Sequence, residues 1–237
     1  MASNYVTLVN KVLTRMNEVT LDTAGDGFAS VRNVQALAKD AVNHSVRLII
    51  QDAQEWPFLK TTYTQTLAAG TRQYDFPSDM ATVDWDTFYL KKLSSKDNTP
   101  TVLRPISYEE YIQSYRSRDD TGNASGDGAP VYVYQTYEEK FGVTPVPDAA
   151  YEVEYVYWTV PSDMTLYNDT CVIPSRFDHV IIDGAIMFMM RFRSNEQSAA
   201  IHQNNFEDGI KAMRRVLIDD DLNIRSTVIN RVAVNGR

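Results

Sequence analysis

The segment Gln73–Leu90, QYDFPSDMATVDWDTFYL, decides the fold. An aromatic stretch ends at Phe76, Pro-Ser-Asp provides a turn, and apolar and polar residues then alternate. A period of two is that of a β-strand, because successive side chains of a strand point to opposite faces. The predicted strand has two different sides: Val83, Trp85, Thr87 and Tyr89 on one, Asp84 and Asp86 on the other.

The distribution of tyrosine extends this β-rich region over the middle of the chain. Thirteen of the 14 tyrosines lie between Tyr63 and Tyr167, and tyrosine favours strands. Apolar residues on both sides of this region recur at helical spacing instead. We therefore expect an α+β fold, a bundle of N- and C-terminal helices with an inserted antiparallel β-rich subdomain. Four segments are predicted: 1–58 as the helical part of the bundle, 59–172 as the inserted β-rich subdomain with one short helix, 173–221 as the C-terminal helices that complete the bundle, and 222–237 as an extended tail.

Turn and cap signals refine these elements. The stretches TTYTQTL and RQYDF are separated by AAGT, a spacing typical of a β-hairpin. Ser107, Ser175 and Ser194 each precede an acidic or amide residue by three positions, which is the pattern of a capping box at a helix N-terminus. Long helices are expected near 4–17, 30–55, 175–193 and 195–221, and the short helix is expected after Ser107.

Composition excludes several classes of function. The 23 basic and 31 acidic residues give a formal charge of −8, and an acidic chain is a poor general binder of nucleic acid because phosphate attraction needs clustered Lys and Arg. Cys171 is the only cysteine, which excludes an intrachain disulfide and suits a reducing cytosol. The N-terminal residues lack the apolar core of a signal peptide. The apolar run Val180–Met190 contains Asp183 and is too short to span a bilayer, so no membrane association is expected.

Paired carboxylates are the first candidates for catalysis. Asp84 and Asp86 lie two positions apart on a predicted strand, which separates them by roughly 7 Å. This separation falls within the range of roughly 5–10 Å that the two acids of a glycosidase need. Nearly every amphipathic strand offers the same spacing, so a solvated or inter-subunit face is the competing interpretation. Glu152 and Glu154 provide a second such pair.

Metal and phosphate sites have weaker signals. His179 and Asp183 are four residues apart and could touch, but HVIID lacks the glutamate of a zinc protease motif, and His44 and His202 are isolated on polar helix faces. The loop around Gly25-Asp-Gly27 lacks the lysine of a P-loop and the acids of a calcium-binding EF-hand. No cofactor and no metal are expected.

Three aspartates at the predicted end of the last helix need a different explanation. Asp219, Asp220 and Asp221 stand where the helix dipole is negative, which is unfavourable for an isolated helix. Basic groups of a neighbouring subunit would offset this, and the alternative is simple solvation. With Asp84 and Asp86, these three aspartates are candidates for a subunit interface.

The order of local features carries more information than any single site. Along the chain come Glu55-Trp56 at the end of a helix, Tyr74-Asp-Phe-Pro-Ser-Asp79, Pro145-x-Pro147-Asp148 before a tyrosine-rich strand, and Ile173-Pro174. In this order they resemble the head-to-tail adaptor proteins of tailed bacteriophages, also called tail tubular or tail accessory proteins, chiefly those of short-tailed phages. The resemblance covers about residues 1–220.

The resemblance implies a structural virion protein of the neck or tail, made in the cytoplasm of the host bacterium. It implies a ring of twelve subunits that docks on the portal protein, extends the DNA channel and receives the tail tube or nozzle protein, without catalysis. DNA would pass without specific binding, since an acidic lining repels phosphates. Two alternatives stay open. One is a virion-associated cell-wall hydrolase that uses Asp84 and Asp86 or Glu152 and Glu154, and the other is a neck or tail-completion protein of a long-tailed phage.

The tail 222–237 is the predicted attachment segment. It has three arginines and no acidic residue, and its apolar residues are spaced as on one helical stripe. A basic, half-amphipathic segment on an acidic chain suits docking on a neighbouring subunit or on the portal, and the alternative is a frayed terminus. The residues predicted to bind the partner are Ile224, Arg225, Val228, Ile229, Arg231, Val232 and Arg237.

Overall fold

The structure, a computed structural model, describes residues 2–21, 28, 31–53, 55–92, 101–120 and 127–218. The described part of the chain has an α+β fold, with helices toward both ends and a middle rich in antiparallel sheet, which confirms the predicted fold class. The chain divides into two compact units: Met1–Phe58 with Pro161–Arg237, and Leu59–Val160. The predicted tail 222–237 and Asp219, Asp220 and Asp221 lie outside the described residues, and the four predicted segments stay a prediction.

The elements follow one another in this order: β1 (Ala2–Asn4), α1 (Tyr5–Arg15), α2 (Asn33–Asp52), β2 (Lys60–Leu67), β3 (Gln73–Asp75), β4 (Met80–Lys92), β5 (Thr101–Val102), β6 (Arg104–Pro105), α3 (Tyr108–Ser114), α4 (Arg116–Asp120), β7 (Tyr132–Gln135), β8 (Lys140–Thr144), β9 (Tyr151–Thr159), β10 (Thr170–Pro174), α5 (Asp178–Phe192) and α6 (Glu196–Leu217). Within these ranges no helix is long and apolar enough to cross a membrane.

The first unit is a bundle of α1, α2, α5 and α6, in which α5 packs against the other three. Its apolar residues are buried nearly all round, as expected of a central helix. The contact between α2 and α5 is close, because a side chain at Gly184 would come within 2.3 Å of the Ser45 hydroxyl. That hydroxyl donates a hydrogen bond of 2.9 Å to the carbonyl of Ile181. Strands β1 and β10 pair antiparallel in the same unit.

The second unit contains two four-stranded sheets, in the orders β2-β9-β4-β5 and β3-β8-β7-β6. Pairing is antiparallel except between β6 and β7. Strand β9 has one buried face, which the second sheet covers. Its buried residues alternate with less buried ones and are Tyr151, Val153, Tyr155 and Tyr157. These side chains share one apolar cluster with Phe141 and Val143 of the other sheet.

The predicted hairpin between TTYTQTL and RQYDF is wrong. Strand β2 pairs with β9, whereas β3 pairs with β8 in the other sheet. The connection is held in another way, because the Tyr74 hydroxyl donates to the carbonyl of Thr71 (2.7 Å) and accepts from the amide of Ala68 (3.0 Å). The short segment therefore passes from one sheet to the other.

The predicted alternation along β4 is also partly wrong. Val83, Phe88 and Leu90 are buried, while Tyr89, expected on the side of Val83, is 40% exposed. Asp84 lies opposite Val156 and Tyr89 lies opposite Glu154, so four residues of β4 face a single residue of β9. Such a bulge changes which face the following side chains occupy.

Of the three serines predicted to cap helices, Ser107 is confirmed as an N-cap. The Ser107 side chain accepts a hydrogen bond from the amide of Glu110 at the start of α3. The prediction at Ser175 is wrong, because a short 3-10 turn precedes α5 and the helix begins at Asp178 without a side-chain cap. The prediction at Ser194 is wrong by one residue, because Asn195 caps α6 through the amide of Ser198.

Candidate functional site

The predicted acidic face of β4 carries ion pairs. The ammonium group of Lys60 on β2 lies 3.5 Å from the carboxylate of Asp84 on β4. The ammonium group of Lys91 on β4 lies 3.1 Å from the carboxylate of Glu154 on β9. Asp86, in contrast, lies exposed within the bulge. Both pairs are partly exposed. Solvated pairs are worth about 0–1 kcal/mol each, so these set the charge pattern of the surface more than the stability of the sheet.

The histidines and Asp183 have partners that the sequence did not indicate. Asp183 lies 3.0 Å from the Nδ1 atom of His202 and 3.4 Å from the guanidinium of Arg15. The ring of His44 packs edge-on against Phe188 at 4.1 Å between centroids. Both histidines therefore help to join helices of the bundle, and the prediction that they are isolated on polar faces is wrong.

The remaining candidates for chemistry are the possible metal ligands and the cysteine. Among the described residues no group of three or more His, Cys, Asp or Glu side chains could hold a metal ion. Cys171 is buried, and burial raises the pKa of its thiol to about 11. The thiol is therefore protonated near neutral pH, and a protonated thiol is a poor nucleophile.

An open cleft of about 700 Å³ lies in the second unit. Three segments that are distant in sequence build it: the bulge of β4, the start of α3 and the turn between β7 and β8. The bulge contributes Trp85, which stacks on Phe88 with 5.4 Å between ring centroids. The side chains that line the cleft are Trp85, Pro105, Ile106, Ser107, Tyr108, Glu110, Gln135, Thr136, Tyr137 and Glu139.

Tyr137 is the prominent aromatic residue of this cleft. It is 78% exposed, yet its ring is held against Tyr108 with 4.7 Å between centroids. Its hydroxyl donates to the Glu109 carboxylate over 3.4 Å, and the charge of that carboxylate raises the pKa of Tyr137. The ring of Tyr108 is supported in turn by Tyr111 and Tyr134, which stack at 3.9 Å. The rings of Tyr137, Tyr108, Tyr111 and Tyr134 therefore support one another along this wall.

The sequence interpretation did not find this cleft. The cap at Ser107 and the stretch YEEK at 137–140 mark two walls of the cleft in the sequence. No spacing along the chain predicts that these walls lie beside Trp85. The predicted interface residues Asp84 and Asp86 lie on the same strand as Trp85 without lining the cleft. The other predicted site residues, in the tail 222–237 and at Asp219, Asp220 and Asp221, fall outside the described ranges.

Fold and surface together describe an α+β protein with a charged sheet face and an aromatic cleft. The family model described as SU10 adaptor protein matches residues 3–232, and the chain belongs to this family. No curated protein matches the chain. Family membership confirms the resemblance to phage head-to-tail adaptors. It makes the chain a structural phage adaptor of the virion neck, from a family that is structural and not enzymatic and that interacts with portal and tail proteins.

Proposed function

We propose that the chain assembles as a ring of twelve copies on the portal, extends the DNA channel and receives the tail tube or nozzle protein during assembly and DNA ejection. The observation that carries this proposal is the family match over residues 3–232, nearly the whole chain. The proposed function requires four contacts from each copy: one to the portal, one to the tail and one to each of its two neighbours in the ring. A closed ring needs a heterologous interface, in which two different surfaces of the subunit meet.

The charge of the chain supports the role of a conduit. A formal charge of −8 favours repulsion of DNA phosphates over retention, so DNA would slide past the ring without specific binding. Asp84 and Asp86 stay our candidates for the interface between subunits, together with Asp219, Asp220 and Asp221. The arginines of the tail 222–237 stay our candidates for attachment to a partner.

The proposed function needs neither catalysis nor a cofactor. A phage cell-wall hydrolase is the competing function, with Asp84 and Asp86 or Glu152 and Glu154 as its acids. The lysine partners of Asp84 and Glu154 speak against it, because each pair of acids would include one residue already engaged in an ion pair. A neck or tail-completion protein of a long-tailed phage is a closer alternative that differs in its partners.

The test is the mass of the purified chain, alone and after mixing with portal particles, combined with negative-stain images of both samples. We expect the portal to gain twelve copies and the images to show a ring on the portal with a continuous central channel. A chain that leaves the portal mass unchanged contradicts the proposed function. Binding of the tube protein of a long-tailed phage instead of a nozzle would favour the closer alternative.

A further inference from the structure

We propose that the aromatic cleft binds the tail 222–237 of a neighbouring copy and so links adjacent subunits. This inference rests on the proposed ring and adds the site at which neighbouring copies engage. In such an arrangement each copy offers one cleft and receives one tail, so a closed ring leaves no cleft empty.

The cleft has the properties of an anchoring site. Its volume of about 700 Å³ lies in the range of ligand pockets, and Trp85, Tyr108 and Tyr137 form its aromatic walls. Aromatic side chains that are rigid and exposed bind partners well, because they supply large contact areas at a low entropic cost. The contacts of Tyr137 with Tyr108 and Glu109 hold it in its exposed position.

The charge of the cleft selects a cationic ligand. Glu110 and Glu139 line it, and no Lys or Arg is found among the described residues that do. Two basic residues adjoin the lining in sequence: Arg104, next to Pro105, and Lys140, next to Glu139. The Lys140 ammonium lies 3.5 Å from Asp75 and 3.6 Å from Glu138. Carboxylates beside aromatic faces favour arginine over lysine, because a guanidinium stacks on a ring while it donates to a carboxylate.

The tail has the complementary chemistry. Arg225, Arg231 and Arg237 are separated by apolar and small polar residues, with no acidic residue among them. Successive arginines are six positions apart, which corresponds to roughly 20 Å in an extended chain. One cleft would therefore engage one arginine and the apolar residues beside it. Arg231 is the central candidate, because Val232 follows it directly and Ile229 lies two positions before it.

A photo-crosslinking experiment on the full-length chain tests this inference. p-Benzoylphenylalanine replaces Gln135, which lines the cleft, and, as a matched control, Gln113, an exposed residue of α3 outside the lining. Rings are assembled from equal parts of heavy-isotope and light chains and then irradiated. We expect peptides from 222–237 to be linked to position 135 at several times the yield at position 113, with heavy joined to light.

A pair of variants tests the charge requirement. Glu110→Gln with Glu139→Gln should reduce the tail crosslink at position 135 at least several-fold, and raised salt should reduce it in the wild type. Glu196→Gln with Asp208→Asn, which removes two exposed carboxylates of α6, should leave the crosslink unchanged.

Each outcome has a defined meaning when the mass of the ring is measured in parallel. Rings that form without a tail crosslink at position 135, or with crosslinks only between chains of the same label, overturn the inference and leave the proposed function intact. A crosslink to the portal in place of the tail overturns it equally. If no ring forms either in the presence or in the absence of portal particles, the proposed function itself is contradicted.

Discussion

At the scale of single residues, the bundle depends on positions where a methyl group has no room. At Gly184 an added side chain would meet the Ser45 hydroxyl at 2.3 Å and the Phe206 ring at 2.7 Å. The Ser45 hydroxyl is bonded to Ile181, so it moves away only by breaking that bond. Helices α2, α5 and α6 therefore meet at a glycine that propensity alone would disfavour within a helix.

We expect Gly184→Ala to destabilise the chain by about 1–3 kcal/mol, because overpacking outweighs the gain in helix propensity of up to about 1 kcal/mol. Urea unfolding followed by circular dichroism measures the change. Gly128→Ala is the matched control, since an added side chain there meets nothing within 4 Å and should have little effect. Equal stability of the two variants would show that α2 and α5 are not in tight contact.

Asp84 and Asp86 provide the residue-scale test of catalysis. The variant Asp84→Asn with Asp86→Asn should assemble normally or with modest weakening, because the Lys60–Asp84 pair is partly exposed and solvated ion pairs are worth about 0–1 kcal/mol. Zymograms of wild type and variant on bacterial cell walls should both be blank. A clear zone from the wild type that is lost in the variant would establish the hydrolase instead.

At the scale of elements, the bulge of β4 depends on one hydroxyl. Thr87 donates to the carbonyl of Asp84 over 2.7 Å and accepts from the amide of Val156 over 2.9 Å. It thus bridges two strands where the regular ladder is interrupted. The same bulge carries Trp85, so the hydroxyl supports one wall of the aromatic cleft.

We expect Thr87→Val to cost about 1–3 kcal/mol, because it keeps the shape of the side chain and leaves two backbone groups unpaired. Thr87→Ser should retain most of the stability, since the hydroxyl remains. Thr62→Val on the exposed strand β2 is the control, expected within about 0.5 kcal/mol of the wild type. Chemical denaturation of the three variants checks this, and an unaffected Thr87→Val would argue against the bridge.

The buried tyrosines of β9 predict instability at high pH. Burial is the main cause that raises the pKa of Tyr151 to about 12, and burial likewise raises the pKa of Tyr155. Well below about pH 10, the ordinary pKa of tyrosine, these tyrosines are protonated in both states and the shift has no effect. Above that, the unfolded chain loses protons first, so the free energy of unfolding should fall by up to about 1.4 kcal/mol per pH unit for each group.

Urea unfolding at about pH 8 and about pH 11 measures this loss, and tyrosinate absorbance shows ionisation directly. Tyr151→Phe should weaken the pH dependence while it retains the buried ring. A free energy of unfolding that stays constant over this range would contradict the burial of these hydroxyls.

The sequence predicted those elements whose pattern is local. Strand β9 alternates strictly and the helices have apolar stripes, so both could be predicted without knowing which elements they pack against. The hairpin prediction failed because β2 and β3 find their partners near residues 140–159, and local spacing says nothing of that pairing. The cleft was missed for the same reason, since Trp85 and Tyr137 are brought together only by the packing of two sheets.

At the scale of the whole molecule, adaptor function depends on contacts with other chains. A chain truncated after Asp221 lacks three arginines and the apolar residues between them. We expect it to fold normally and to bind portal particles or close rings at least several-fold less well, because basic segments on acidic chains contribute to docking. Co-sedimentation with portal and completion of infectious heads measure the effect. Normal binding and normal completion would show that the tail is dispensable.

The path of the chain through its two units has a consequence for biosynthesis. Strand β9 lies between β2 and β4, and α5 packs against α1 and α2, so each core closes only with a late segment. While a ribosome is still translating the first 150 residues, β2 and β4 lack their partner β9, and α1 and α2 lack their partner α5. Such non-local closure slows folding and exposes apolar surface in the meantime. A fragment that ends before β9 therefore lacks the segments that close both cores.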